Sequence, residues 1–186
     1  GIALPWLVVL LRWTFPPSIS STYYTWEAGA VFMIILGPAS LLLFTYKGYN
    51  TFDDIINTIT GIFGLMICLF PCWNSQFDLV GTFQIPVGIS STLHNISAFG
   101  FFGCLAYNSI FQFTKHGVGE MTANKKKRNV IYIICGIGMI ASFTILLFPS
   151  FPNRVWIIET IALFFFGISW LTKADYYPWL FADKKK

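Results

Sequence analysis

The chain has 186 residues, 55% of them hydrophobic, 19% aromatic and only 11% charged, with a formal net charge of +4 and a mean hydropathy of +0.65. Soluble proteins carry roughly 25% charged residues, and a soluble domain of this length has too little interior to hide twenty Phe, seven Trp and eight Tyr. Composition therefore argues against a soluble globular domain, and a charge of +4 is too small to point to nucleic acid as a partner; membrane lipids and other membrane proteins are the expected ones.

The apolar runs are continuous rather than alternating. In lipid only helices and closed barrels satisfy their own backbone groups, so the pattern predicts an all-α, polytopic transmembrane helix bundle in a single domain, residues 1–186. Six spans are expected at about residues 2–14, 24–46, 55–70, 92–113, 130–148 and 155–172. The first run, Ile2 to Leu11, is shorter than the roughly 20 helical residues that cross a hydrocarbon core. Either its N-terminal part is missing or it reaches through Phe15 as a partial span. No small-residue cleavage site follows it, so a signal peptide is not expected.

Before the second span, "FPPSISS" supplies a proline turn and serines able to cap a helix. Gly37 and Pro38 inside that span predict a kink, which either frames a cavity or fits neighbouring helices. Thr51 and Asp54 stand at capping-box spacing before the third span, which Pro71 closes. The connection from Cys72 to Ser91 holds no Lys or Arg, and its "FDLVGTFQIPVGI" reads as an interfacial anchor or as a lid. In the fourth span Ser97, Gly100, Gly103, Ala106 and Ser109 recur every three residues, a stripe that winds around the helix and invites neighbours on more than one side. Gly61 with Gly64, and Gly136 with Gly138, offer further close contacts. Pro149 and Pro152 form the link between the fifth and sixth spans.

Lys and Arg set the orientation. Lys47, Lys115, Lys125, Lys126, Lys127, Arg128, Lys173, Lys184, Lys185 and Lys186 fall on one side of this arrangement, Arg12 and Arg154 on the other. That bias predicts cytoplasmic termini and a cell-membrane location. The run "KKKR" pins the fifth helix to the inner face, and Lys125, Lys126, Lys127 and Arg128 are candidates for holding an anionic lipid headgroup.

Ionisable residues inside spans are costly and mark candidate sites. Asp53 and Asp54 suit the start of the third helix. On the outer side Glu27, His94 and Glu159, with Arg12 and Arg154, lie at comparable depth. Either they converge into a polar ligand-binding pocket or each snorkels separately to the headgroups. One imidazole with two carboxylates could hold a metal, but there is no HxxxH or HExxH, no P-loop, no dinucleotide fingerprint and no GxSxG. These patterns leave the catalytic residues, if there are any, unidentified; no cofactor is expected, and the cysteines Cys68, Cys72, Cys104 and Cys135 form no CxxC pair.

The phrases "PPSISSTYYT", "LLLFTYKGYNTFDDIINTITGI", "LHNISAFGFFGCLAY", "FQFTK", "KKKRNVIYIICGI" and "WIIETIALFFFGISWLTK", in this order, resemble an uncharacterised family of bacterial six-helix integral membrane proteins, DRAM/Sfk-like, over Pro16 to Lys173. The resemblance draws attention to Ser18, Ser20, Tyr24, Lys47, Gly48, Tyr49, Asp54, Asn57, His94, Lys127, Arg128, Asn129, Glu159 and Trp170. Family members carry a charge near the position of Gly29 or Ala30, which this chain lacks. The resemblance implies a fold and no substrate. The functional expectation is a membrane protein that binds lipid or a small ligand in an outer-facing polar pocket, or that serves as a subunit of a membrane assembly; the alternative is a metal-dependent lipid hydrolase.

Overall fold

The computed structural model describes residues 1–117 and 120–174; the basic run Lys184 to Lys186 lies outside the described residues. The described chain is all-helical apart from one short hairpin. In order come α1 (Leu4–Arg12), a 3-10 segment (Ser20–Tyr24), α2 (Trp26–Thr45), α3 (Thr51–Leu69), β1 (Leu79–Val80), β2 (Ile85–Pro86), α4 (Val87–Tyr107) running into a π-helical turn (Asn108–Gln112), α5 (Ala123–Ser142) with a 3-10 extension (Phe143–Leu147), and α6 (Arg154–Lys173). Consecutive helices pack side by side, and α1 returns against α6, closing the ring.

Four helical stretches, Trp26–Thr45, Thr51–Leu69, Ala123–Leu147 and Arg154–Lys173, are long and apolar enough to cross a membrane. Their surfaces agree with that reading. On α5, Ile133, Ile134, Ile137 and Ile140 are exposed while Cys135, Gly136 and Met139 turn inward, leaving an apolar stripe that only lipid or a partner would cover. The other two expected spans differ in kind. α1 is nine residues, a rise of about 14 Å against a core of about 30 Å. α4 has the length, but Ser90, Ser91, Thr92, His94, Asn95 and Ser97 make its first half polar.

Helix starts shift from the expected positions wherever polar residues are good helix formers. α5 begins at Ala123, because the Thr122 hydroxyl accepts from the Lys125 N–H (3.2 Å) and the lysines continue the helix. Hydropathy sees only the part that enters lipid. The N-cap of α3 is Asn50, whose side chain accepts from the Asp53 N–H at 2.9 Å, and not Thr51. The N-cap of α2 is Thr25; of the serines before it, Ser18 ties down the 3-10 segment, its Oγ accepting from the Ser21 N–H at 2.9 Å. α2 runs unbroken through Pro38. The Cys72 to Ser91 connection forms the two-stranded hairpin, with Gly81 (φ 72) and Gln84 (φ 47) in left-handed backbone at its turn.

Small residues place the helices. A Cβ added to Gly61 of α3 would lie 2.5 Å from the Phe44 backbone nitrogen of α2, and one on Gly100 of α4 would lie 2.5 Å from the Phe63 ring of α3. Further along α4, the Ala106 carbonyl lies 3.0 Å from the Cβ position of Gly136 on α5. The stripe thus meets α3 first and α5 a turn and a half later, while Gly103 between them faces open space. Gly61→Leu should lower the unfolding free energy by about 1–3 kcal/mol, read as an earlier loss of helical signal in a denaturing-detergent titration; an unchanged midpoint would remove the close α2–α3 contact from the account.

Candidate functional site

Pro71 restricts the residue before it to extended backbone, and Phe70 (φ −114, ψ 98) duly ends α3. The chain then has three successive carbonyls without a helical partner, and side chains supply one each. His94 Nδ1 donates to the Phe70 carbonyl at 2.7 Å, Ser90 Oγ to that of Pro71 at 2.8 Å, and the Tyr24 hydroxyl to that of Cys72 at 2.6 Å. Ser90 and His94 are four residues apart on α4, so one helix face serves two carbonyls. Since a carbonyl can only accept, Nδ1 carries the proton, and Nε2 of the neutral ring is left as an acceptor.

Glu159, in the second turn of α6, binds the segment after α1. One carboxylate oxygen accepts from the Ile19 N–H at 2.5 Å and the other from Ser20 Oγ at 3.3 Å. The acid therefore caps the 3-10 segment from outside, where its unpaired N–H groups suit a negative charge. The backbone N–H of Trp156 donates to the Pro17 carbonyl at 3.1 Å, a second tie between the same two elements.

Between these attachments lies a cavity of about 230 Å³ whose polar wall is Ser18, Ser20, Cys72, His94, Asn95 and Glu159. The remaining wall is apolar, from Phe99 and Phe102 of α4, Phe143 and Leu146 after α5, and Val155 and Ile158 of α6. Such a lining, mostly apolar with a few convergent polar groups, suits a small or amphiphilic ligand. Burial, with the Glu159 carboxylate adding, pushes the Cys72 thiol up to about 12, so it holds almost no thiolate at neutral pH and is a poor nucleophile.

Of the five outer-side residues expected from the sequence, the structure brings His94 and Glu159 to this one cavity. Glu27 is exposed in the first turn of α2, Arg12 is in the last turn of α1, and Arg154 donates to the Phe148 carbonyl at 3.0 Å; none of the three lines the cavity. Among the described residues no three His, Cys, Asp or Glu side chains come together as a metal ion would require. The sequence patterns do not mark Asn95 and Cys72 as wall residues. Asn95 adjoins His94 in sequence, but nothing local marks Cys72.

At the other end of the bundle, Asp53 has no exposed surface and accepts from Lys115 Nζ at 2.6 Å and from the Tyr49 N–H at 3.1 Å. Asp54 accepts from the Gly48 N–H at 2.7 Å, with Lys47 at 3.6 Å. Above them Asn108 Nδ2 donates to Asn57 Oδ1 at 3.0 Å, and Ser109 and Ser169 share a hydrogen bond at 2.6 Å. The π turn brings Asn108, Ser109 and Gln112 into the interior together. Of the basic run, Lys125 and Arg128 line a cavity at this end while Lys126 and Lys127 are exposed.

Comparison with protein-family models, with curated proteins and with solved structures finds no match to this chain.

Proposed function

We propose that this chain is a six-segment integral protein of the cell membrane, its termini on the cytoplasmic side, that binds a lipid or small ligand in the cavity walled by His94 and Glu159. The observation that carries the reading is that these two residues, distant in sequence and each costly near lipid, line one cavity. His94 contributes an acceptor nitrogen and Glu159 a carboxylate. The apolar remainder of the wall would take an acyl or other hydrophobic portion of the ligand. The family resemblance supports the six-helix fold, and the excess of Lys and Arg at the end holding Lys47, Lys115 and Lys125 supports the orientation.

A first substitution tests occupancy without touching the hydrogen bonds that hold the wall. Ala98 lines the cavity, and Ala98→Leu should fill part of it. Small molecules and lipids extracted from the purified protein, counted by mass spectrometry, should include a species retained at near-stoichiometric level and reduced about tenfold or more in this variant. His94→Gln should reduce the same species. If neither substitution alters what co-purifies, the cavity holds no ligand and the reading fails.

A further inference from the structure

The second cavity, of about 310 Å³, lies where the α2–α3 connection, the chain after α4, the start of α5 and the end of α6 meet. Four basic side chains line it: Lys115, Lys125, Arg128 and Lys173. Lys125 and Arg128 are three residues apart and share a helix face, which explains why Lys126 and Lys127, between them, do not take part. Two carboxylates oppose the cations. Asp53 holds Lys115, and Glu120 stands in the wall, so among the described residues basic side chains outnumber carboxylates here four to two.

The cationic side chains are held by the fold. Lys125 Nζ donates to the Phe113 carbonyl at 2.6 Å and stands 5.3 Å from the centre of the Tyr132 ring. Lys173 Nζ lies 5.2 Å from the centre of Tyr49 and 5.6 Å from that of Phe113. Groups already ordered lose less entropy when an anion arrives. The cavity also sits at the ends of two helices long and apolar enough to span a membrane, where the helix of α5 starts at Ala123 and that of α6 ends at Lys173. Tyrosine and basic side chains at such helix ends meet lipid headgroups. A guanidinium offers a planar fork to two oxygens of one phosphate, and ammonium groups add compact charge.

We propose that this cavity binds a phosphate ester, the group common to anionic phospholipids and small soluble phosphate esters, through Arg128, Lys125 and Lys173. The site is separate from the one walled by His94 and Glu159, and stands or falls independently of it.

The test uses the full chain in mild detergent micelles doped with phosphatidylglycerol or phosphatidylcholine, with bound lipid counted by native mass spectrometry. Phosphatidylglycerol should be retained over phosphatidylcholine. At about 1 kcal/mol per basic residue near the surface, the pair Lys125→Gln, Arg128→Gln should weaken retention about thirtyfold, whereas Lys126→Gln, Lys127→Gln should change it by less than about threefold. Because Lys125 also supports a backbone carbonyl, Arg128→Gln is measured alone with its melting temperature, and about fivefold weakening with an unshifted melt is expected. Glycerol 3-phosphate provides the other arm: displacement of the lipid at millimolar concentration assigns the site to a soluble ester, and retention assigns it to the headgroup. Equal losses in the two paired variants, or no preference for phosphatidylglycerol together with no effect of glycerol 3-phosphate, would overturn the proposal.

Discussion

Asp53→Ala should cost about 2–3 kcal/mol of stability, near the upper part of the range for a hydrogen bond to a charged group and short of that for a wholly buried ion pair, because Lys115 is about one-third exposed. The carboxylate is fully enclosed and makes two bonds of different origin, one to the Lys115 ammonium and one to the Tyr49 backbone. Removing it takes the side-chain acceptor from the Tyr49 N–H and the counterion from Lys115, which keeps an exposed face. Lys115→Met should cost a comparable amount, because the charge on Asp53 would then be enclosed without its counterion. The double variant Asp53→Ala, Lys115→Met should recover part of the loss, since it removes the buried charge together with its counterion. Thermal unfolding of the four proteins in one detergent checks the cycle. Additive losses would mean that the pair does not act as a unit.

Glu159→Leu should have the next largest effect, about 2 kcal/mol of stability together with loss of whatever the adjoining cavity retains. Ser20 can turn its hydroxyl elsewhere, but the Ile19 N–H cannot move without unwinding the 3-10 segment. That segment carries Tyr24, which closes the Cys72 carbonyl on the far side of the cavity, so one loss loosens two walls. Glu159→Gln separates stability from charge. The amide oxygen still accepts from Ile19, so most of the stability should survive while affinity for a cationic or hydroxyl-bearing ligand falls. Matched melting temperatures and co-purified ligand levels distinguish the two effects. A Leu variant as stable as the parent would show that Glu159 does not anchor the segment.

Much of the fold was legible because lipid partition is a property of a stretch of chain and not of its neighbours. The long apolar runs around Phe32, Phe63, Ile137 and Phe165 declared helices of spanning length whatever they pack against. Pro71 declared the end of α3 for an equally local reason, its restriction on Phe70. Boundaries failed where hydropathy and helix formation part company, as at Ala123, where lysines that never enter lipid are still good helix formers. The winding stripe on α4 was readable in outline from the helical repeat, but not which neighbour each small residue would meet.

What the chain determined by itself was its solvent, its helical class and the clustering of cations beside one set of helix ends, because each follows from residue chemistry summed over a local window. Tertiary structure alone decided that Glu159 would meet Ile19 and leave Glu27 outside, that Asp53 would find Lys115, and that Lys125 and Arg128 would turn into a cavity while the two lysines between them face away. Those outcomes depend on hydrogen-bond and Coulomb geometry between side chains brought together only by packing. Such interactions act over a few ångströms in space, and position along the chain carries no record of them.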